Sequence, residues 1–179
     1  MKKILLILLM IILVTGCNSL MNSPTKKVEY LLNKYQKGDE EVIKQLSDTL
    51  LTDAILNMDQ KEKYKNIMIR QYHDLMYTIK DEAIDGKTAV VEVEVEVYDY
   101  SKAISGIEDN LLNNADSFKD ERGEVSTTIY NDKKLEALEN ANDRVKYTIN
   151  FTLSKMEDEW IVDDLTETER MKIHGLYAY

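Results

Sequence analysis

Between Val91 and Val97 the chain alternates without a break. Ala89, Val91, Val93, Val95 and Val97 hold the odd positions, and Glu92, Glu94 and Glu96 hold even ones. A period of two puts the valines on one side of a pleated strand and the glutamates on the other. Such a two-faced strand belongs in an antiparallel sheet with one side covered and one side wet. Some other part of the chain must therefore supply a layer to cover the valine face.

The flanking segments extend the sheet. Leu75, Tyr77 and Ile79 also alternate, and Asp85-Gly86 is a hairpin signal. With odd residues inward in both strands, the loop should hold an odd number of residues, Asp85-Gly86-Lys87, which sets Lys80 opposite Glu92. Ile84 falls out of phase, so a bulge is expected near Asp81 to Ala83. A second hairpin follows, with Val145, Tyr147, Ile149, Phe151 and Leu153 in one strand and Trp160 and Val162 in the next. Its inward parity passes from odd to even, as a two-residue loop at Glu157-Asp158 requires.

Helical spacing governs the rest. Ser23 is an N-cap, Pro24 suits the first helical position and Gly38 the C′ position, around a stripe of Val28, Leu31, Leu32 and Tyr35. Asp39 caps a second helix carrying Val42, Ile43, Leu46 and Leu50. Asp59 with Glu62 reads as the capping box of a third, whose buried side is Tyr64, Ile67, Met68, Tyr72 and Leu75. Residues 101 to 142 form a helical insert with stripes at Ala103, Ile104, Ile107 and Leu111 and at Ile129, Leu135, Leu138 and Ala141. Asn113 to Ser126 between them is polar, acidic and expected to be mobile. A last helix runs from about Thr166 to His174 and stops at Gly175.

The fold class is therefore α+β: amino-terminal helices on a curved antiparallel sheet of about four strands, with a helical insert between the second and third. This order of elements resembles the cystatin and nuclear-transport-factor-like cone, on the Asp85-Gly86-Lys87-Thr88-Ala89 turn and the terminal Glu159-Trp160-Ile161-Val162-Asp163-Asp164 strand. The resemblance covers residues 24 to 175 and implies a helix lying in the hollow of a curved sheet. Some members of that family are dehydratases and isomerases that use Asp, His and Tyr in the hollow.

The amino terminus resembles something more specific. Met1-Lys2-Lys3 is followed by 11 apolar residues, Ile4 to Val14, too few for a span of about 20 residues. Val14-Thr15-Gly16-Cys17 then resembles the lipobox of bacterial lipoproteins, which implies cleavage before Cys17 and attachment of a diacylglycerol to its sulfur. Cys17 is the only cysteine among 179 residues, so no internal disulfide or cysteine-rich zinc site is available. The expected organisation is a leader over 1–16, a lipidated tether over 17–23 and one domain over 24–179. The location implied is the extracytoplasmic face of a cell membrane, with the membrane as first partner through Cys17.

Charge and motifs narrow the function. A formal net charge of −10 and a pI near 4.8 argue against nucleic acid. There is no Gly-x-Ser-x-Gly elbow and no phosphate-cradling glycine loop, and no cofactor or metal is expected. Glu92, Glu94 and Glu96 stand about 7 Å apart along the strand, too far for one ion to join neighbours. Asp116, Asp120, Glu121 and Glu124 lack EF-hand spacing.

The candidate binding residues are His73, beside Asp74, together with Tyr98 and Tyr100, which flank Asp99 where the sheet meets the insert. His174 reads as a partner of its own helix C-terminus. The favoured function is a non-catalytic domain that binds a small ligand or an envelope protein. The alternatives are acid/base chemistry through His73, Asp74 or the tyrosines, and a structural docking role for the insert.

Overall fold

The computed structural model describes residues 22–178, so the leader and the Cys17 lipobox lie outside the described residues. Three helices come first, α1 (Pro24–Lys37), α2 (Glu40–Thr52) and α3 (Met58–His73), followed by strands β1 (Met76–Asp85) and β2 (Thr88–Tyr98). The insert holds α4 (Tyr100–Asn113), a 3-10 turn (Ala115–Phe118) and α5 (Thr127–Glu139). Strands β3 (Arg144–Met156) and β4 (Glu159–Val162) and helix α6 (Glu167–Ile173) complete the described chain. The sheet is an antiparallel meander in the order β1-β2-β3-β4, which leaves β1 and β4 as its edges.

The helix ends form as their residues dictate. Ser23 accepts the Lys26 amide, and Gly38, at φ 60°, closes α1 with paired bonds from Gly38 N to Tyr35 O and Asp39 N to Lys34 O. Asp39 caps α2 through the Glu41 amide. At α3 the capping box is Asn57 with Gln60, two residues earlier than the Asp59–Glu62 pair the sequence suggested. Gln60 wins because its amide is buried and also bonds Thr128 O and Asp132 Oδ1 of α5, tying α3 to the insert.

The first hairpin corrects the expected register. Asp85 faces Thr88, so the loop is the two residues Gly86-Lys87, and the register shifts between Ile79 and Asp81. The extra residue in that bulge is Lys80. It restores odd-to-odd parity beyond the bulge, the job assigned to a longer loop. Lys80 consequently does not face Glu92; its ammonium reaches Glu94 at 3.4 Å, which also pairs with Lys146 at 3.2 Å. The second hairpin has the expected two-residue loop, with Met156 facing Glu159 and both Glu157 (φ 49°) and Asp158 (φ 67°) left-handed.

Ala89, Val91, Val93, Val95 and Val97 are all buried, opposite Val145, Tyr147, Ile149, Phe151 and Leu153 of β3. Val28 and Leu32 of α1, Met68 and Tyr72 of α3 and Trp160 of β4 fill the concave face. The space inside the sheet is thus a core. In the insert, the segment expected to be loose carries a buried Phe118, a bridge between Lys119 and Val125, and Asp120 Oδ1 accepting the Arg122 and Glu124 amides.

Candidate functional site

The sequence candidates converge on the junction where α3 ends and β2 leaves the sheet, and each side chain there is engaged. Tyr98 lies two residues past the start of its β1 neighbour, since Met76 faces Glu96, so its backbone has no strand partner on that side. The Gln71 side chain takes that place, accepting from Tyr98 N at 2.9 Å and donating to Tyr98 O at 3.1 Å and His174 O at 2.9 Å. The Tyr98 hydroxyl donates to Asp74 Oδ2 at 2.8 Å, and the Arg70 and Arg144 guanidinia approach its ring at 4.1 and 4.9 Å. Tyr100 begins α4 instead of continuing the outer strand face. It is fully buried, stacks on Tyr98 and donates to Ile67 O, and burial pushes its hydroxyl up to about 12.

The two histidines behave differently. His73 is exposed, with Nδ1 2.7 Å from Gln36 O and its ring against Gly38, while Asp74 serves Tyr98. The structure therefore gives His73 and Asp74 separate partners. His174 caps the end of α6, but burial, aided by Arg170, holds its imidazole at about 4. It is neutral near pH 7 and is not the cation that a helix C-terminus attracts. Its Nε2 lies 3.1 Å from the Tyr72 hydroxyl, which keeps its own proton because burial raises it far above the ordinary phenol range.

A groove of about 610 Å³ lies elsewhere, between α1, α2 and the outer edge of β4. Tyr30, Leu31, Tyr35 and Val42 line one wall, and Trp160 to Leu165 line the other. The ion pair of Lys27 with Glu159 joins the two walls, and that of Lys34 with Glu41 at 2.5 Å ties α1 to α2 within the helical wall. The Lys27 ammonium holds the Glu159 carboxyl below its usual range, and Glu41 raises Lys34.

The edge of β4 gives the groove its chemistry. Asp163 N bonds Thr152 O at 3.0 Å, so by antiparallel alternation Trp160 and Val162 direct their backbone groups away from β3, into the open edge. Asn22 meets the first of these. Its Oδ1 accepts from Trp160 N at 3.1 Å and its Nδ2 donates to Asp158 O at 2.7 Å, the pattern of an added strand residue. The sequence reading placed Asn22 in a featureless tether and Trp160 in the core. A short terminal strand in a meander is an edge, which was the available signal, but the pairing of residues 138 apart was not legible.

Several of the remaining carboxylates are engaged by cations and amides. Glu94 and Glu96 face Lys80, Lys146 and Arg144, and Asp116 pairs with Lys119. Among the described residues no cluster of three or more metal-ligating side chains occurs, and no helix is long and apolar enough to cross a membrane.

No family model and no curated protein matches the chain. Among solved structures the chain is similar to the "putative lipoprotein (ycdA)" of Bacillus subtilis subsp. subtilis str. 168, at 12% identity and a TM-score of 0.38, over 83% of this chain and 51% of that one. The chain thus spans about half the length of that protein.

Proposed function

We propose that this chain is a lipid-anchored extracytoplasmic protein whose domain, 24–179, binds an extended peptide segment of an envelope partner along the outer edge of β4. The anchor reading rests on Lys2-Lys3, the 11 apolar residues and Val14-Thr15-Gly16-Cys17. Two acyl chains, at about 0.8 kcal/mol per buried methylene, hold a protein where one chain would be marginal. Four residues lie between Cys17 and Asn22, a reach of at most roughly 17 Å over five chain steps, so lipidated Cys17 would keep the β3–β4 hairpin near the headgroups. The cone-like arrangement remains the reading of the curved sheet and its covering helices.

One observation carries the binding reading: β4 turns main-chain donors and acceptors into a groove, and a side-chain amide already bonds to them as a strand would. An added strand gains affinity from such main-chain bonds and selectivity from the pockets its alternate side chains meet. Here those pockets would be formed by Tyr30, Tyr35 and Trp160, with Lys27 facing Glu159 across the groove and the Lys34–Glu41 pair beside it.

Two experiments test the two parts. Cys17→Ser should move the protein from the membrane to the soluble fraction and abolish labelling by a tagged palmitate; unchanged fractionation removes the anchor. Peptides selected from a random phage-displayed library should shift the emission of Trp160, the only tryptophan, and should lose binding to Val162→Pro, which lacks the outward N–H. Equal binding by Val162→Pro with an unchanged melting temperature overturns the strand-addition reading.

A further inference from the structure

A second opening lies at the far end of α2 from the β4 groove, and one of its lining residues carries a buried amide that the fold leaves unanswered. The end of α2, the α2–α3 connection and one face of α5 enclose a cleft of about 400 Å³, within the size range of small-molecule sites. Leu50, Leu56 and Leu135 give it an apolar floor. Asn131 also lines it, yet Asn131 is only 5% exposed and its Nδ2 has no hydrogen-bond partner. Buried amides are nearly always satisfied, because an orphaned donor forfeits its hydration and gains nothing in exchange. The neighbouring buried amide shows the ordinary outcome: Gln60, one helix away, bonds Asn57 N, Thr128 O and Asp132 Oδ1.

The charges around the cleft favour an acceptor over a donor as the missing partner. Lys134 stands three residues after Asn131, so the two side chains share a face of α5. The one carboxylate in the lining, Asp53, is already committed: its Oδ1 accepts the Ile55 and Leu56 amides at 2.7 and 2.9 Å. Those amides, with Lys61 and Lys134, hold its carboxyl below the usual range. Asp53 is thus turned to backbone amides, which leaves Lys134 as the one cation in the lining, on the same helix face as the unpartnered amide. From this we propose that the cleft binds a small organic carboxylate. Its acid oxygens accept from Asn131 Nδ2 and the Lys134 ammonium, and its apolar body lies on Leu50, Leu56 and Leu135.

Calorimetric titration of the full chain in a nonionic detergent tests this, with 3-phenylpropanoate as the probe and 3-phenylpropanol as its uncharged counterpart. The expected result is that the acid binds at least tenfold more tightly than the alcohol. Lys134→Gln and Asn131→Leu should each weaken the acid about tenfold or more and leave the alcohol unchanged, as befits charge-assisted hydrogen bonds. Lys134 is only half-buried, so its variant keeps the test alive even if Asn131→Leu disturbs packing. Equal affinities for acid and alcohol, indifference to both substitutions, or no heat up to the solubility limit of the acid would each overturn the proposal, leaving Asn131 with a water molecule.

Discussion

Two side-chain amides in this molecule stand in for a missing β-strand. At one end of the sheet Gln71 bonds both backbone groups of Tyr98 and also the carbonyl of His174; at the outer edge Asn22 bonds Trp160 N and Asp158 O. Gln71 is fully buried, and the chain has closed over it: Ser101 N donates to Gly175 O at 2.9 Å, and Gly175 lies directly against Tyr98. Asn22 sits beside an open groove, with Val162 the next outward-facing residue and, among the described residues, no strand beyond β4. The same chemistry makes a joint in the first place and a contact surface in the second. What separates them is whether water and other chains can reach the amide.

The comparison breaks most severely at Gly175. A Cβ there would stand 2.0 Å from Tyr98 O and 2.3 Å from Gln71 Nε2, and the residue has φ +69°. Backbone contacts this short cannot relax by rotating a side chain, and left-handed φ adds strain for any L-residue. Gly175→Ala should cost about 4 kcal/mol or more, a large part of the stability of an ordinary domain, read as a collapse of the urea midpoint. A shift under about 1 kcal/mol would mean that the joint is looser than its distances say.

Gln71→Leu comes next. It keeps the volume roughly but strands Tyr98 N, Tyr98 O and His174 O, all reached by the one amide. Leaving several buried groups unpaired should cost about 3 kcal/mol. Gln71→Glu refines this: the acceptor role survives and the ionised carboxylate cannot donate, so its stability deficit relative to the unaltered chain should be larger at pH 8 than at pH 5.

How much of this was legible depends on the range of the interaction. Ser23, Pro24 and Gly38 mark both ends of α1 because caps are local chemistry, and the valine alternation of β2 names the core face of the sheet correctly. The first hairpin shows the limit of parity arguments. A bulge at Lys80 and a longer loop satisfy the same odd–even rule, and only the pairing distinguishes them. Helix α3 begins at Asn57 because Gln60 is held by α5, a contact that the local Asp59–Glu62 spacing cannot reveal. The site follows the same rule. His73, Tyr98 and Tyr100 attract notice as chemical types, whereas Asn22, Gln71 and Asn131 matter through partners, or a missing partner, set by the tertiary fold.

His174 adds a pH dependence to the buried joint. Its folded value near 4 is below the ordinary 6.5, so the unfolded chain binds a proton more readily. Stability from this group is therefore complete above about pH 6.5 and is lost as the pH falls towards 4. Between pH 7 and 5 the loss should be about 2 kcal/mol, absent in His174→Leu once that variant's own offset is subtracted. Identical acid limbs in the two proteins would show that the imidazole is solvated in the folded state.

The smallest stability effect and the sharpest functional one meet at Asn22. Its two hydrogen bonds lie near the surface, where a net gain of about 1 kcal/mol is usual, so Asn22→Ala should lower the melting temperature only slightly. The same change exposes Trp160 N–H to the groove and lengthens the free edge of β4 by one donor. If the groove accepts an added strand, Asn22→Ala should bind the selected peptides more tightly than the unaltered chain, because the incoming backbone no longer displaces a resident amide. If Asn22 is a second joint like Gln71, the substitution costs stability and leaves peptide affinity unchanged or weaker. Melting temperature and peptide affinity measured on one variant therefore separate a joint from a contact surface, which substitution of Gln71 cannot do because its amide is sealed inside the fold.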